Sequence, residues 1–332
     1  MHSLDSSRID SVIDVQKTQQ SHVAIVGLGG SVTLACDLAR CGVLEFTLVD
    51  FDFVEASNIA RQDHDTVRLA MLKVEAVRQR LLEINPAIIV HTLARDFTTF
   101  TNAELDEHFG KIDLLILATD SFPAQAKGNE LALFHGIPAV FIGLYEEGRG
   151  GEVVFWHPGL DACYRCLCAH RYAAFGSPQP PAITSRGASI LDIRLVDGLA
   201  GMLSVGLLTR GSDNRYGRLI DQLGDRNFLQ IKVDPTFGWN GHDHFRELLQ
   251  IPAHNDAYFS FVTVARRDPD RGLLRCPDCE RFRGHRFVEI HGVRQRIKPF
   301  SMRNAPPVVG YELASEREFT HSNLSRGESW NR

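Results

Sequence analysis

SHVAIVGLGGSVTLACDLARCGVLEFTLVDFDFVEASNIARQDHDTVRLAMLK, residues 21–73, decides the fold. His22-Val-Ala-Ile-Val26 is a short apolar run that reads as a buried strand. The turn Gly27-Leu28-Gly29-Gly30-Ser31 follows, then a helix-like run from Val32 to Cys41. A second apolar strand, Glu45-Phe-Thr-Leu-Val49, ends in Asp50. A glycine turn between strand and helix lets the backbone approach a phosphate, and the helix N-terminus presents its free N–H groups to the anion. Gly27, Gly29 and Gly30 are the residues of that cradle. Asp50 lies 23 residues after Gly27, where an acidic side chain suits ribose hydroxyls. Val32 stands where a third glycine usually serves helix–strand packing, so phosphate contact survives the change.

The second half of the stretch narrows the chemistry. Asp52, Asn58, Arg61, Gln62 and Lys73, the last placed about one turn into the next helix, form a dense polar group just past a strand end. A dehydrogenase needs no such group there. An enzyme handling a triphosphate needs cations for the phosphates and carboxylates for Mg²⁺. A later strand, Ile112-Asp-Leu-Leu-Ile-Leu-Ala118, runs into Thr119-Asp120-Ser121. Asp50 and Asp120 then share the carboxyl ends of parallel strands, the crevice where open α/β sheets bind ligands.

The rest of the 332-residue chain is consistent with this reading. Strand candidates at Ile88–Thr92 and Gly136–Ile142 alternate with helix candidates at Lys73–Leu82, Asn102–Phe109 and Pro123–Phe134. That alternation predicts an α/β fold: a doubly wound, mainly parallel, Rossmann-like sheet. From Gly148 the pattern changes to extended strands, Arg149–Trp156 and Asn227–Val233, expected as an antiparallel extension. Residues 173–190, rich in Pro, Gly, Ser and Ala, read as a loop. Ile193–Thr209, with its small residues, reads as a closely packed helix. The expected division is an N-terminal arm at 1–20, a nucleotide-binding domain at 21–147, an extension at 148–290, and a partly disordered tail at 291–332. A net charge of −5 argues against a nucleic-acid surface. No apolar run spans a membrane and no secretory signal opens the chain, so a cytoplasmic location is expected.

Two C-x-x-C turns, Cys163/Cys166 and Cys276/Cys279, are the pieces of a tetrahedral zinc site. Whether pairs so far apart meet is not fixed by spacing alone. Cys168, two residues past Cys166, reads as a packing thiol, a substitute ligand or a nucleophile.

The motifs Ile25-Val-Gly-Leu-Gly-Gly30, Leu48-Val-Asp-Phe-Asp52, Ser57-Asn-Ile-Ala-Arg-Gln62, Leu72-Lys-Val-Glu75, Ile84-Asn-Pro86, Ala118-Thr-Asp-Ser121 and Cys163-Tyr-Arg-Cys-Leu167 occur in order. Together they resemble the ThiF/MoeB/HesA family, relatives of the ubiquitin-activating enzymes. The resemblance covers about residues 20–170. It implies an ATP-dependent adenylyltransferase acting on a carboxylate, the C-terminus of a small ubiquitin-like or sulfur-carrier protein or of a peptide. It gives Asp50 to the ribose, Asn58, Arg61 and Lys73 to the phosphates, and Asp120 to Mg²⁺, with Asp52, Gln62 and Ser121 alongside. It closes Cys163, Cys166, Cys276 and Cys279 around a structural Zn²⁺. It also implies a homodimer in which Arg8 reaches into the partner subunit's ATP site. Thioester-forming relatives carry a cysteine in the loop before the small-residue helix, and this chain has none between Cys168 and Cys276. A catalytically silent subunit of the same fold and an NAD-dependent oxidoreductase are the competing readings.

Overall fold

A computed structural model describes residues 5–178, 187–234, 260–264, 276–283, 287–290 and 293–296. Strands β1 (His22–Val26), β2 (Glu45–Val49), β3 (Ile89–Leu93), β4 (Leu114–Leu117), β5 (Ala139–Leu144), β6 (Gly150–Trp156), β7 (Phe228–Lys232) and β8 (Ser260–Val264) form one sheet. Their order is β3-β2-β1-β4-β5-β6-β7-β8. Pairings from β3 through β5 are parallel, and those from β5 onward are antiparallel. The doubly wound, mainly parallel sheet with an antiparallel extension is therefore present. A separate ribbon pairs β9 (Phe287–Ile290) with β10 (Val293–Arg296).

Strand order reverses between β1 and β4. Right-handed crossovers then place α2 (Val32–Arg40) and α5 (Phe122–His135) on opposite faces of the sheet. The central strands are apolar on both sides: Val23, Ala24, Ile25 and Leu114 to Leu117 are all buried. α3 (Lys73–Ile84) packs on α2, and α2 packs on the long helix α8 (Ile190–Leu208), which also covers β5 and β6. α4 (Asn102–Phe109) opens with a capping box between Thr101 and Glu104. The N-terminal segment carries α1 (Val15–Gln19). The Lys17 ammonium donates to the Arg210 carbonyl at 3.1 Å, and the Ser212 hydroxyl to Asp14 at 2.6 Å. These bonds tie the segment to the link between α8 and α9 (Arg215–Leu223).

Three local expectations shift. Lys73 is the first residue of α3, not a turn inside it. Leu72 keeps an extended backbone because it bridges to Phe53, so the helix begins only afterwards. The expected loop at 173–190 is shorter at both ends. α7 (Ala169–Phe175) runs into it, following α6 (Tyr164–Leu167). α8 starts at Ile190, since Ser189 and Asp192 cap it reciprocally. The expected disorder of the tail lies outside the described residues. Among the described residues no helix is long and apolar enough to cross a membrane.

His157, buried just past β6, accepts at Nδ1 from the Gly159 amide at 3.0 Å and from Arg210 at 2.9 Å. Burial, reinforced by the Arg210 charge, pushes its pKa down to about 4 from 6.5. The unfolded chain therefore binds the extra proton first. Stability present above pH 6.5 is lost as pH falls toward 4. We expect His157→Gln to flatten the pH dependence of chemical unfolding across that window, by up to about 2–3 kcal/mol. An unchanged profile would refute this.

Candidate functional site

The carboxyl ends of β1, β2 and β4 meet at Gly27. Its amide donates to the Val49 carbonyl at 2.9 Å, and its φ is +89°. A side chain there would lie 2.6 Å from the Ala118 carbonyl oxygen. Only glycine lets the chain turn in this gap. Asp50 then fixes the turn: its carboxylate accepts from the Leu28 amide at 2.7 Å and from the Asp52 amide at 2.9 Å. The Ser31 hydroxyl donates back to the Gly27 carbonyl at 2.5 Å. Gly29 faces the Gln62 amide, which would be 2.9 Å from a Cβ. Gly30 faces Ile193 of α8, 3.0 Å from a Cβ. The glycines thus permit close packing from two directions as well as backbone approach.

The segment 50–73 wraps over this turn. Asn58 is buried; its side chain accepts from the Glu55 amide at 3.0 Å, and its carbonyl accepts from the amides of Arg61 (3.0 Å) and Gln62 (2.7 Å). Gln62 is held inward, and its Oε1 has no hydrogen-bond partner among the described residues. Lys73 is buried, with Nζ 2.9 Å from the exposed carboxylate of Asp52. The structure thus joins Asp50 to the turn, Gln62 to Gly29 and Lys73 to Asp52, while Arg61 is tied in through its amide to Asn58. Asp120 is exposed at the end of β4, across Gly27 from Asp50. The Ser121 hydroxyl caps α5 by accepting from the Ala124 amide at 3.4 Å. Arg8 is exposed on the turn before α1.

His64 and the buried pairs around it were not singled out from the sequence. The His64 Nε2 donates to the Leu28 carbonyl at 3.0 Å, while its buried Nδ1 has no partner among the described residues. Burial lowers its pKa, so the ring is neutral. Asp63 joins Arg80 of α3 (3.1 Å) to Arg194 of α8 (2.9 Å), holding the wrap against both helices. Its nearness to Gln62 in sequence was the available signal. A second network lies under β5: Arg171 pairs with buried Glu152 at 2.6 Å, the Tyr145 hydroxyl donates to Glu152 at 2.5 Å, and Gln230 donates to Tyr145 at 2.7 Å. Burial, then the Glu152 charge, raises the Tyr145 pKa, so its hydroxyl stays a donor.

The four cysteines do converge. Sγ separations are 3.7 Å for Cys163–Cys166, 3.5 Å for Cys163–Cys276 and 3.8 Å for Cys166–Cys279. Tetrahedral Zn–S bonds of about 2.3 Å require sulfurs about 3.8 Å apart. Three of the four thiols are buried and Cys276 is partly so, and together they offer the soft sulfur donors that zinc takes. Around it, Asp278 pairs with Arg165 at 2.5 Å and accepts from Asn129 at 2.8 Å. Cys168 is fully buried and outside this group.

The ThiF family matches residues 6–223. The chain belongs to the ThiF family. Ubiquitin-like modifier-activating enzyme 5 of Caenorhabditis elegans is 31% identical over 171 residues, 48% of this chain and 40% of that protein. The Culex quinquefasciatus enzyme of the same name is 33% identical over 175 residues, 48% of this chain and 43% of that one. The chain thus spans less than half the length of these curated relatives. Escherichia coli MccB solved with ATP superposes with a TM-score of 0.50 at 18% identity, covering 66% of this chain and 62% of MccB. PaaA gives a TM-score of 0.51 at 21% identity, covering 65% and 70%. These likenesses establish the fold.

A closed four-thiolate site contributes folding energy directly. Chelation is expected to lower the melting temperature of the zinc-loaded chain, and Cys279→Ser to do the same without chelator. A full, unshifted thermal transition after metal removal would show that the cysteines hold nothing structural.

Proposed function

We propose that this chain is an adenylyltransferase: a carboxylate oxygen attacks the α-phosphorus of ATP in line, an acyl-adenylate forms and pyrophosphate leaves. One observation carries the reading, the closure of segment 50–73 over the glycine turn, which sets Lys73 and Gln62 beside a backbone cradle at the switch point. The residues fit the nucleotide. Side-chain-free Gly27 and Gly29 leave room only for backbone, and the Gln62 Oε1, without a partner among the described residues, is an acceptor of the kind ribose or adenine donors satisfy. Asp50 keeps lone pairs for the ribose while it holds the turn.

Arg61 and Lys73 would stabilise the charge that develops on the leaving pyrophosphate. Asp120, an exposed carboxylate at a strand end, offers the hard oxygen donor that Mg²⁺ takes, and the ion would neutralise phosphate charge. No general base is needed, because the nucleophile is already a carboxylate. The acceptor is proposed to be the C-terminus of a small ubiquitin-like or sulfur-carrier protein or of a peptide. The relatives named for ubiquitin-like modifiers and the MccB structure solved with MccA support that class. Direct transfer from the adenylate is preferred over a thioester, since Cys168 is fully buried. Zinc in the four-cysteine group, a homodimer with Arg8 acting across it, and a cytoplasmic location belong to the same proposal. The exposed side chains of Phe51, Phe53, Val67 and Leu69 on the wrapping segment offer apolar surface for such a dimer.

Calorimetric titration with ATP and Mg²⁺, beside NAD⁺, tests the site. ATP is expected to bind, and Arg61→Ala to weaken it. Loss of one such cation is expected to slow adenylate formation 10²–10³-fold, about 2.7–4 kcal/mol by analogy with removal of one oxyanion donor. Binding of NAD⁺ alone would overturn the assignment, and binding of neither would favour a silent subunit.

A further inference from the structure

At the opposite, amino-terminal end of the sheet, three side chains that the adenylation reading does not use converge across adjacent strands. His22 opens β1, Glu45 opens β2 and His91 sits in β3. The register places His22 beside Glu45, and Thr47 beside His91. Side chains alternate along a strand, so Glu45 and Thr47 share one face with both histidines. The His22 Nδ1 lies 3.5 Å from Glu45 Oε1, and the His91 Nε2 lies 3.1 Å from that same oxygen. One donor atom from each residue falls within 4.8 Å of the other two.

We propose that His22, Glu45 and His91 form a second metal site, for a divalent first-row transition ion of the zinc type. Zn–N and Zn–O bonds of about 2.0–2.2 Å in a tetrahedron set donors about 3.3 Å apart, and both separations to Glu45 fall close to this. Two imidazoles with one carboxylate suit zinc, whereas magnesium and calcium demand more oxygens. The orientation is supported from behind. The His22 Nε2 lies 2.8 Å from the Thr47 hydroxyl, which can accept an Nε2 proton and so free the Nδ1 lone pair that faces Glu45 for an ion. The His22 backbone amide donates to Asp113 at 2.9 Å, fixing the start of β1 and adding a nearby negative charge. His91 is half-exposed, so an ion reaches the group without opening the core, and water completes the fourth position. The ion would pin β3, the edge strand of the sheet, to its two neighbours.

The test is a calorimetric Zn²⁺ titration of the full chain, comparing wild type, His91→Ala and Thr47→Val, with circular dichroism to establish that each variant is folded. Wild type is expected to take up one more equivalent than His91→Ala. Thr47→Val is expected to bind that equivalent about 10-fold more weakly, as loss of a supporting hydrogen bond does. A Co²⁺ titration supplies the second readout: the extra equivalent should show d–d absorption without thiolate charge-transfer bands. Equal stoichiometry in wild type and His91→Ala overturns the site. So does an extra equivalent whose Co²⁺ spectrum is that of thiolate ligands.

Discussion

The organisation of the crevice rests on one steric fact: the chain passes between the ends of β2 and β4 at a residue that has no side chain. Gly27 is hydrogen-bonded to Val49 on one side, and a Cβ would strike Ala118 on the other. Because the passage is that narrow, the turn is stiff. Asp50 can therefore hold the Leu28 amide while remaining at the surface of the crevice, and α2 begins at a defined height above the strands. A side chain at Gly27 would push against the segment after β4, and with it Asp120 on the far side of the turn.

The cysteine group is linked mechanically to that same strand end. Tyr164 lies between the first two cysteines, and its hydroxyl donates to Gln125 of α5. Gln125 in turn donates to the Thr119 carbonyl at 2.9 Å and to the Ile142 carbonyl at 3.0 Å, bridging the ends of β4 and β5. Asn129, one helical turn further on, accepts from the Tyr164 amide at 3.1 Å and donates to Asp278. A four-thiolate cluster that fixes Tyr164 thereby fixes the carbonyl adjoining Asp120. Its contribution to chemistry would be one of position, with three of its four thiols buried.

What the sequence made legible follows the range of the forces involved. The strands and the glycine turn are local: apolar runs of five residues bounded by glycine admit few other structures. The helix starts were less legible. Lys73 begins α3 rather than continuing it because Leu72 pairs with Phe53, a contact across a loop that no periodicity records. α7 intrudes on an expected loop because Arg171 and Tyr172 have buried destinations: Arg171 at Glu152, and Tyr172 edge-on against Phe122. His64 escaped notice for a similar reason. A single histidine in a polar stretch carries no pattern, and only the fold places its ring beneath the Leu28 carbonyl. The convergence of Cys163 and Cys276 lay beyond local reading as well, since α5 and the short helix Pro277–Phe282 must first dock.

The Lys73–Asp52 pair shows how this architecture can combine stability with an open site. A buried ammonium without a partner would be strongly destabilising, so the resting chain needs a counter-charge. Asp52 supplies it from the solvent side: the lysine side chain is 8% exposed, the aspartate side chain 52%. The carboxylate is therefore well hydrated whether or not it is paired, and releasing it to water requires little reorganisation. A polyanion entering the crevice can take over the lysine without leaving either charge stranded in the interior. Had both partners been buried, exchange would have meant breaking a desolvated ion pair, and the site would be held closed by the interaction that stabilises it. The asymmetry in exposure, more than the presence of the two charges, suits the pair to a surface that binds and releases a highly charged ligand in turn.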